Sequence, residues 1–361
     1  MAKLLKDLYN EAYLELLCRS IKEHFSDFES SNFTKVIFNK RWKERELKDR
    51  MRLIATTLGI YLPQEYKSAI DILKLTFNSM NHPIYALQNM IYQDFVEVYG
   101  LNDLKISLDA LETFTINSSS EFAIRRFILK YPKESMKQMQ IWAISDNEHI
   151  RRLASEGSRP RLPWAIALPF FKRQPEEVLE ILELLKNDES KYVRKSVANN
   201  LNDISKDNPK TVIELTQKWL HYSKNRDALL KHGCRTLLKA SDTQVLELFG
   251  FSKPTDISLE NFTFNEEVKM GEELAFAFEL NAKDRLGKLR IEFALHFLRK
   301  NGKQNKKVFK IAEGIYSQNS KTFAKKYSFK TISTRVYYRG QQKLTIIING
   351  VVFKEVEFKL F

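Results

Sequence analysis

Over the first 250 or so positions, apolar residues recur at helical spacing. Leu4, Leu5, Leu8, Ala12, Leu16 and Ile21 fall on one face and predict a helix through Leu4–Phe25. Val178–Leu185 and Val212–Leu220 carry the same period, and the breaks are short polar turns such as Asn187-Asp188-Glu189-Ser190. Beyond about residue 255 the period falls to two. Leu274–Leu280 is an apolar run, Lys288–Leu298 alternates, and the run Lys343–Ile348 meets Val351–Leu360 across Asn349-Gly350. Asn-Gly between two β-rich runs predicts a tight hairpin. The chain therefore reads as two domains. Residues 1–252 form an all-α domain and residues 253–361 a β-sandwich, with Lys253-Pro254 at the junction.

The helical part repeats itself. Asn147-Glu148-His149-Ile150-Arg151-Arg152-Leu153-Ala154 aligns with Ser190-Lys191-Tyr192-Val193-Arg194-Lys195-Ser196-Val197 at an offset of 43 residues. A weaker echo is Phe122-Ala123-Ile124-Arg125-Arg126-Phe127. Helical pairs with a period near 40 mark a HEAT-like solenoid, in which each pair buries its apolar face only by stacking on its neighbours. In each copy an apolar residue precedes two basic ones at a helix start. A cation there opposes the helix dipole, so the repeated placement suggests a ligand of opposite charge along one edge of the stack. Solvated helix starts are the plain alternative.

Composition narrows the class. With 43% apolar residues the chain is not disordered, and two cysteines, Cys18 and Cys234, exclude a disulfide scaffold or a cysteine-rich metal site. The opening MAKLLKDLYNEAY has no apolar core of a signal peptide, and Leu162–Phe171 is about half a membrane span and interrupted by prolines. These features point to a cytoplasmic protein with no membrane contact. From Lys253 onward 21 Lys and Arg stand against 12 Asp and Glu, whereas before it the counts are 38 and 33, so most of the net +14 lies in the β-rich part. That bias favours a polyanion such as nucleic acid. Lys300, Lys303, Lys306 and Lys307 are read as one loop that grips a duplex, or else as a solvated turn.

One segment concentrates unusual residues: Arg151-Arg152-Leu153-Ala154-Ser155-Glu156-Gly157-Ser158-Arg159-Pro160-Arg161-Leu162-Pro163-Trp164. A helix through Ile150 must end near Gly157, which leaves Glu156 at a helix C-terminus, where an acid is electrostatically unfavourable. A residue set against its local preference is a candidate functional one. The stiff proline-rich stretch behind it holds Trp164 nearby. Glu121 is a second candidate acid, although Ser118-Ser119-Ser120-Glu121 also fits a capping box with Ser118 as N-cap. His24, His82, His149, His221, His232 and His296 show no ligand spacing, and no metal or cofactor is expected. Phosphate loops and nucleophile elbows are absent from the sequence.

The motif RRLASEGSRPRLPW resembles the AlkC group of the AlkC/AlkD alkylpurine DNA glycosylases. The HEAT-like repeats and the β-rich tail agree with members of that group that carry an Ig-like domain. The resemblance implies a monofunctional glycosylase of base excision repair, acting on cationic N3-methylated bases (3-methyladenine and 3-methylcytosine) in double-stranded DNA. It implies Glu156 and Glu121 as the catalytic pair, Trp164 as the residue that stacks on the lesion, Arg152 as a residue that fills the gap or clamps a phosphate, and Asp203 as a supporting acid. Arg151, Arg159, Arg161, Arg194 and Lys195 are then expected on the DNA backbone. The partner is duplex DNA, the protein a monomer, and its location the cytoplasm, on the nucleoid when bound. A solenoid offers no deep pocket, so the DNA is expected to bend across the helical face with the base only partly enclosed.

Three other readings remain open on the residues alone. A non-catalytic HEAT/Ig nucleic-acid scaffold accounts for the charge but not for Glu156 beside Trp164. A lyase working through a lysine Schiff base finds no lysine in the key segment. A general RNA-binding protein lacks the aromatic ribonucleoprotein signatures.

Overall fold

A computed structural model describes residues 4–80, 87–332 and 335–361; His82 lies outside them. Helices fill the chain as far as Leu248, and strands begin at Ile257. Two compact units result. One is Met1–Asn208 with Trp219–Gly233, and the other is Pro209–Lys218 with Cys234–Phe361. The second unit thus takes in the helix Arg235–Lys239 and the helix Thr243–Leu248 along with all the strands.

The helix expected through Leu4–Phe25 is broken. A short 3-10 turn, Leu5–Leu8, precedes the helix Glu11–Lys22, because the Asn10 side chain accepts from Tyr13 N–H at 3.0 Å and starts a new helix there. The repeat is a structural one. Asn147 caps the helix Glu148–Gly157 by accepting from His149 N–H, and Ser190 caps the helix Lys191–Ile204 by accepting from Tyr192 N–H. Ile150 and Val193, the aligned apolar residues, are both buried. The two helices pack on each other, the first also on Pro132–Ala143 and the second on Lys224–Gly233, as stacked repeats require.

The paired arginines repeat in detail as well. Arg151 Nη1 donates to the carbonyls of Ser145 and Asp146 at 3.0 and 2.9 Å, and Arg194 Nη1 donates to those of Asp188 and Glu189, both at 2.7 Å. Each arginine clamps the turn that leads into its own helix. Arg151 also forms a fork with Asp188, through Nε at 2.6 Å and Nη2 at 3.1 Å. This is the physical answer to the unfavourable dipole: the cations are spent on loop carbonyls and an acid of the protein itself. Arg151 and Arg194, expected on the DNA backbone, are thus engaged within the protein in this structure.

In the second unit the strands are β1 (Ile257–Phe264), β2 (Glu267–Val268), β3 (Glu273–Ala282), β4 (Gly287–Leu298), β5 (Gln304–Tyr316), β6 (Ser320–Ser328), β7 (Gly340–Ile348) and β8 (Val351–Leu360). They form a three-stranded sheet in the order β1-β3-β6 and a five-stranded sheet in the order β2-β8-β7-β4-β5. Leu274, Phe276, Phe278 and Leu280 of β3 and Ile291, Phe293 and Leu295 of β4 alternate into one core with Leu344, Ile346 and Ile348 of β7. Asn349 and Gly350 both take positive φ, 46° and 81°, and Ile348 pairs with Val351, as a two-residue hairpin demands. The lysine loop is a correction. Lys300 and Lys303 sit in the turn, but Lys306 and Lys307 belong to β5, paired with His296 and Leu295 of β4.

Gly157 ends its helix where there is no room for a side chain. A Cβ there would stand 2.8 Å from Ile124 Cγ2 and 3.0 Å from Met139 Cε. Gly157→Ala is expected to cost about 2 kcal/mol by overpacking, read as a lower urea midpoint with an unchanged m-value.

Candidate active site

Within the first unit, a cavity of about 440 Å³ is lined by Glu121, Phe122, Arg152, Glu156, Arg159, Leu162, Pro163, Trp164 and Tyr192, with Tyr9, Lys48 and Met90 among the residues from earlier helices. This is an ordinary volume for a small-molecule site. It is also a more defined hollow than expected of a solenoid.

Its floor is a chain of alternating charge. Arg152 Nη1 donates to Glu121 Oε2 at 2.6 Å, and Arg152 Nη2 stands 3.8 Å from Glu156 Oε1. Arg159 Nη1 donates to the same Glu156 oxygen at 2.6 Å, and Arg159 Nε donates to Asp203 Oδ2 at 2.8 Å. Lys206 Nζ closes the series on Asp203 Oδ1 at 3.0 Å. Ser196 of the neighbouring repeat donates to Glu156 Oε2 at 2.6 Å, so both oxygens of this buried carboxylate are held. Both bonds of Glu121, from Arg152 and from the Ser119 hydroxyl, go to Oε2. Burial opposes the charge on Arg152, but Glu121 and Glu156 more than offset it and hold the guanidinium above its ordinary value. Arg159 is treated alike, burial being outweighed by Glu156 and Asp203. The Arg152 guanidinium also lies 4.7 Å from the centre of the Tyr192 ring.

Glu121 is not a capping residue. The helix after it runs Ile124–Lys130 with Ala123 at the N-cap and no side-chain cap, and the Ser118 hydroxyl is buried without a hydrogen-bond partner. The acid is drawn instead to Arg152, 31 positions on. Ion pairing over that separation outweighs a local cap.

Trp164 stands at the rim of the cavity, 72% exposed, with φ at +64°. A bulky residue in this region is an outlier and costs about 1–3 kcal/mol. The segment that carries it is pinned from below by Arg125. This fully buried guanidinium donates to the carbonyls of Gly157 at 2.9 Å, Arg159 at 2.7 Å and Ile166 at 2.6 Å. Burial pushes it down to about 10, with Arg159 adding to the effect.

The sequence candidates therefore divide. Glu121, Glu156, Trp164, Arg152 and Arg159 line one cavity, and Asp203 joins them through Arg159. Arg159, expected on the DNA backbone, is buried between two acids. Arg161 forks onto Asp207 at 3.0 and 2.6 Å on an exposed face, and Lys195 is exposed on its helix. Neither lines the cavity. Sequence reasoning missed Arg125, Lys48, Ser196 and Tyr192. Ser196 and Tyr192 do fall inside the repeat already aligned, and Arg125 inside its echo. No sequence signal marks Lys48.

A helical repeat array with a buried acid–arginine chain under an exposed tryptophan, followed by an Ig-like sandwich, defines the class. Residues 106–237 match the family model described as DNA alkylation repair enzyme, and residues 258–361 match the C-terminal Ig-like domain of the uncharacterised protein YhaZ. The chain is 41% identical over 358 residues to the uncharacterized protein YhaZ of Bacillus subtilis (strain 168), covering 99% of each. It superposes with a TM-score of 0.94, at 30% identity, on the Pseudomonas fluorescens alkylpurine DNA glycosylase AlkC bound to DNA containing an abasic site analog, covering 99% of this chain and 100% of that one. The chain belongs to the AlkC group of the AlkC/AlkD alkylpurine DNA glycosylase family.

Two predictions follow from the site's framework. Arg125→Met leaves three carbonyls without their charged donor and is expected to cost at least about 3 kcal/mol, with the segment after Gly157 becoming a preferred site of limited proteolysis. Behind the cavity wall, burial pushes the Asp94 carboxyl up to about 7 against the pull of Arg52. A carboxyl raised in this way stabilises the fold at low pH and loses that contribution as pH rises through the folded value. The Tm of Asp94→Asn relative to the parent protein should therefore increase from about pH 5 to about pH 8; a constant difference contradicts it.

Proposed function

We propose that this protein is a monofunctional DNA glycosylase that hydrolyses the N-glycosidic bond of N3-methylated bases, 3-methyladenine and 3-methylcytosine, in duplex DNA. The observation that carries the reading is the convergence of Glu121 and Glu156 on one cavity beneath the exposed indole of Trp164.

The chemistry suits the lesion. An N3-methylated base already bears positive charge and leaves without a proton from a general acid. What needs help is the sugar, which becomes cationic as the bond breaks, and the water that traps it. A carboxylate about 4 Å from that cation, at an effective dielectric near 20, contributes about 4 kcal/mol, or roughly a thousandfold in rate. Glu156 is built for this: Arg159 and Ser196 hold its two oxygens still, so little reorganisation is needed as charge develops. Glu121 leaves Oε1 for a water, and its role is to orient that water or help deprotonate it. The indole of Trp164 stacks on the damaged nucleotide, and a cationic base gains from the π face what a neutral base does not. Asp203 acts through Arg159.

Duplex DNA is the partner in this reading. Arg161 and Lys195, outside the cavity, are free to meet phosphates once Arg161 exchanges Asp207 for one. The lysines of the β4–β5 hairpin add charge of the same sign. The lyase alternative gains little from Lys48, whose ammonium is already engaged by a carbonyl and an aromatic ring.

The test is release of methylated bases from methylated duplex DNA by the parent protein and by Glu156→Gln. The parent should free 3-methyladenine and 3-methylcytosine, and the variant should be slower by roughly a thousandfold. Full activity in the variant moves the main role to Glu121. DNA binding without any base release by the parent makes the protein a binding module.

A further inference from the structure

Trp164 is held in place against its own preferences. Its backbone is in the left-handed region and its ring is mostly in solvent, so neither local conformation nor burial of the ring fixes it. Its neighbours are tied down, Ile166 by Arg125 and Ala165 N–H to the Leu162 carbonyl at 3.3 Å. The carbonyl of Trp164 itself is taken by the ammonium of Lys48, 116 positions earlier in the chain.

Lys48 stands in the first turn of the helix Leu47–Tyr61, outside the stretch 106–237 that matches the DNA alkylation repair enzymes. Its Nζ also lies 4.4 Å from the centre of the Phe122 ring, the residue next to Glu121. One cation thus touches the two segments that bring in the indole and the second acid. The helix behind it is braced. Glu46 and Asp49 form a capping box at its start, and Arg52 pairs with Asp94 at 2.9 Å and Glu97 at 2.8 Å. Glu97 in turn lies 3.7 Å from Arg126, on the helix Ile124–Lys130 that follows Glu121.

We propose that Lys48 is a positioning residue for the glycosylase site: by capturing the Trp164 carbonyl while resting on Phe122, it sets the indole relative to Glu121, and this is the contribution of the N-terminal helices to the site. The kinetic part rests on the glycosylase reading above, and the structural part does not.

The experiment uses the full chain labelled with 5-fluorotryptophan. Its four tryptophans give separate fluorine resonances, and Trp164→Phe identifies one of them. Lys48→Met keeps the stem and loses the donor; Lys48→Arg keeps a donor. In Lys48→Met the Trp164 resonance should move and broaden, while those of Trp142 and Trp219 stay put and show the fold intact. Lys48→Arg should recover most of the parent position. The kcat for 3-methyladenine release should fall about tenfold to a hundredfold in Lys48→Met, with affinity for undamaged duplex unchanged. An unmoved Trp164 resonance in Lys48→Met overturns the proposal. So does weaker binding of undamaged DNA with a salt slope reduced by about one and the resonance unmoved, which makes Lys48 a phosphate contact. If the parent releases no base, the glycosylase reading fails, and the fluorine spectra still decide the role of Lys48.

Discussion

A guanidinium that never meets solvent decides the geometry of everything above it. Arg125 ends among three carbonyls, those of Gly157, Arg159 and Ile166, and they are the carbonyls a helix end and a proline-broken turn would otherwise leave without donors. Nothing apolar does this work, because the groups to be satisfied are polar and buried. With that anchor in place, the chain can leave the helix at Gly157, turn at Arg159, and arrive at Trp164 in a conformation it would not choose alone.

The charged floor follows from the same anchoring. Glu121, Arg152, Glu156, Arg159, Asp203 and Lys206 alternate in sign, so no inner member is a lone buried ion. Burying any one of them unpaired would be prohibitive, and burying them as a series gives each a partner of opposite sign. Such a series is a costly way to fill a core. Its acids are fixed and already oriented by their partners, and in the glycosylase reading proposed above this is the surface a cationic sugar meets. Two repeats contribute, through Glu156 on one and Ser196 with Asp203 on the next, which ties this charged floor to the stacking of helices.

Much of this architecture is legible in the residues. The shift from helical to alternating spacing, the Asn349-Gly350 turn and the offset of 43 residues correspond to real elements, because each rests on a local periodicity or a single-residue conformational need. The helix end at Gly157 and the odd placement of Glu156 are local too. What local reasoning misjudged were groups whose partners lie far along the chain. Glu121 looks like a cap until Arg152 comes within 2.6 Å of it. Arg151 and Arg194 look like free cations until their loops fold back onto them. Arg125 sits in a motif that reads as surface charge and is buried all the same, and Lys48 has no neighbour in sequence that hints at Trp164. The resemblance carried by RRLASEGSRPRLPW supplied the pairing of Glu121 with Glu156, which spacing alone does not.

The two aligned helices differ in one respect. Glu148–Gly157 has 10 residues and Lys191–Ile204 has 14. The difference is about one turn, or roughly 6 Å of axis. Between the first helix and Glu176–Leu185 lie residues 158–175, whereas only residues 205–208 separate the second from Pro209–Trp219. The shortened helix releases about a turn of chain, and an added loop supplies the rest of the arginine- and proline-rich strip that carries Trp164. The hollow is thus a rung cut short and extended sideways. A stacked-repeat scaffold acquires such a hollow by trimming one helix and lengthening the connection after it, while the neighbouring copy keeps its full length.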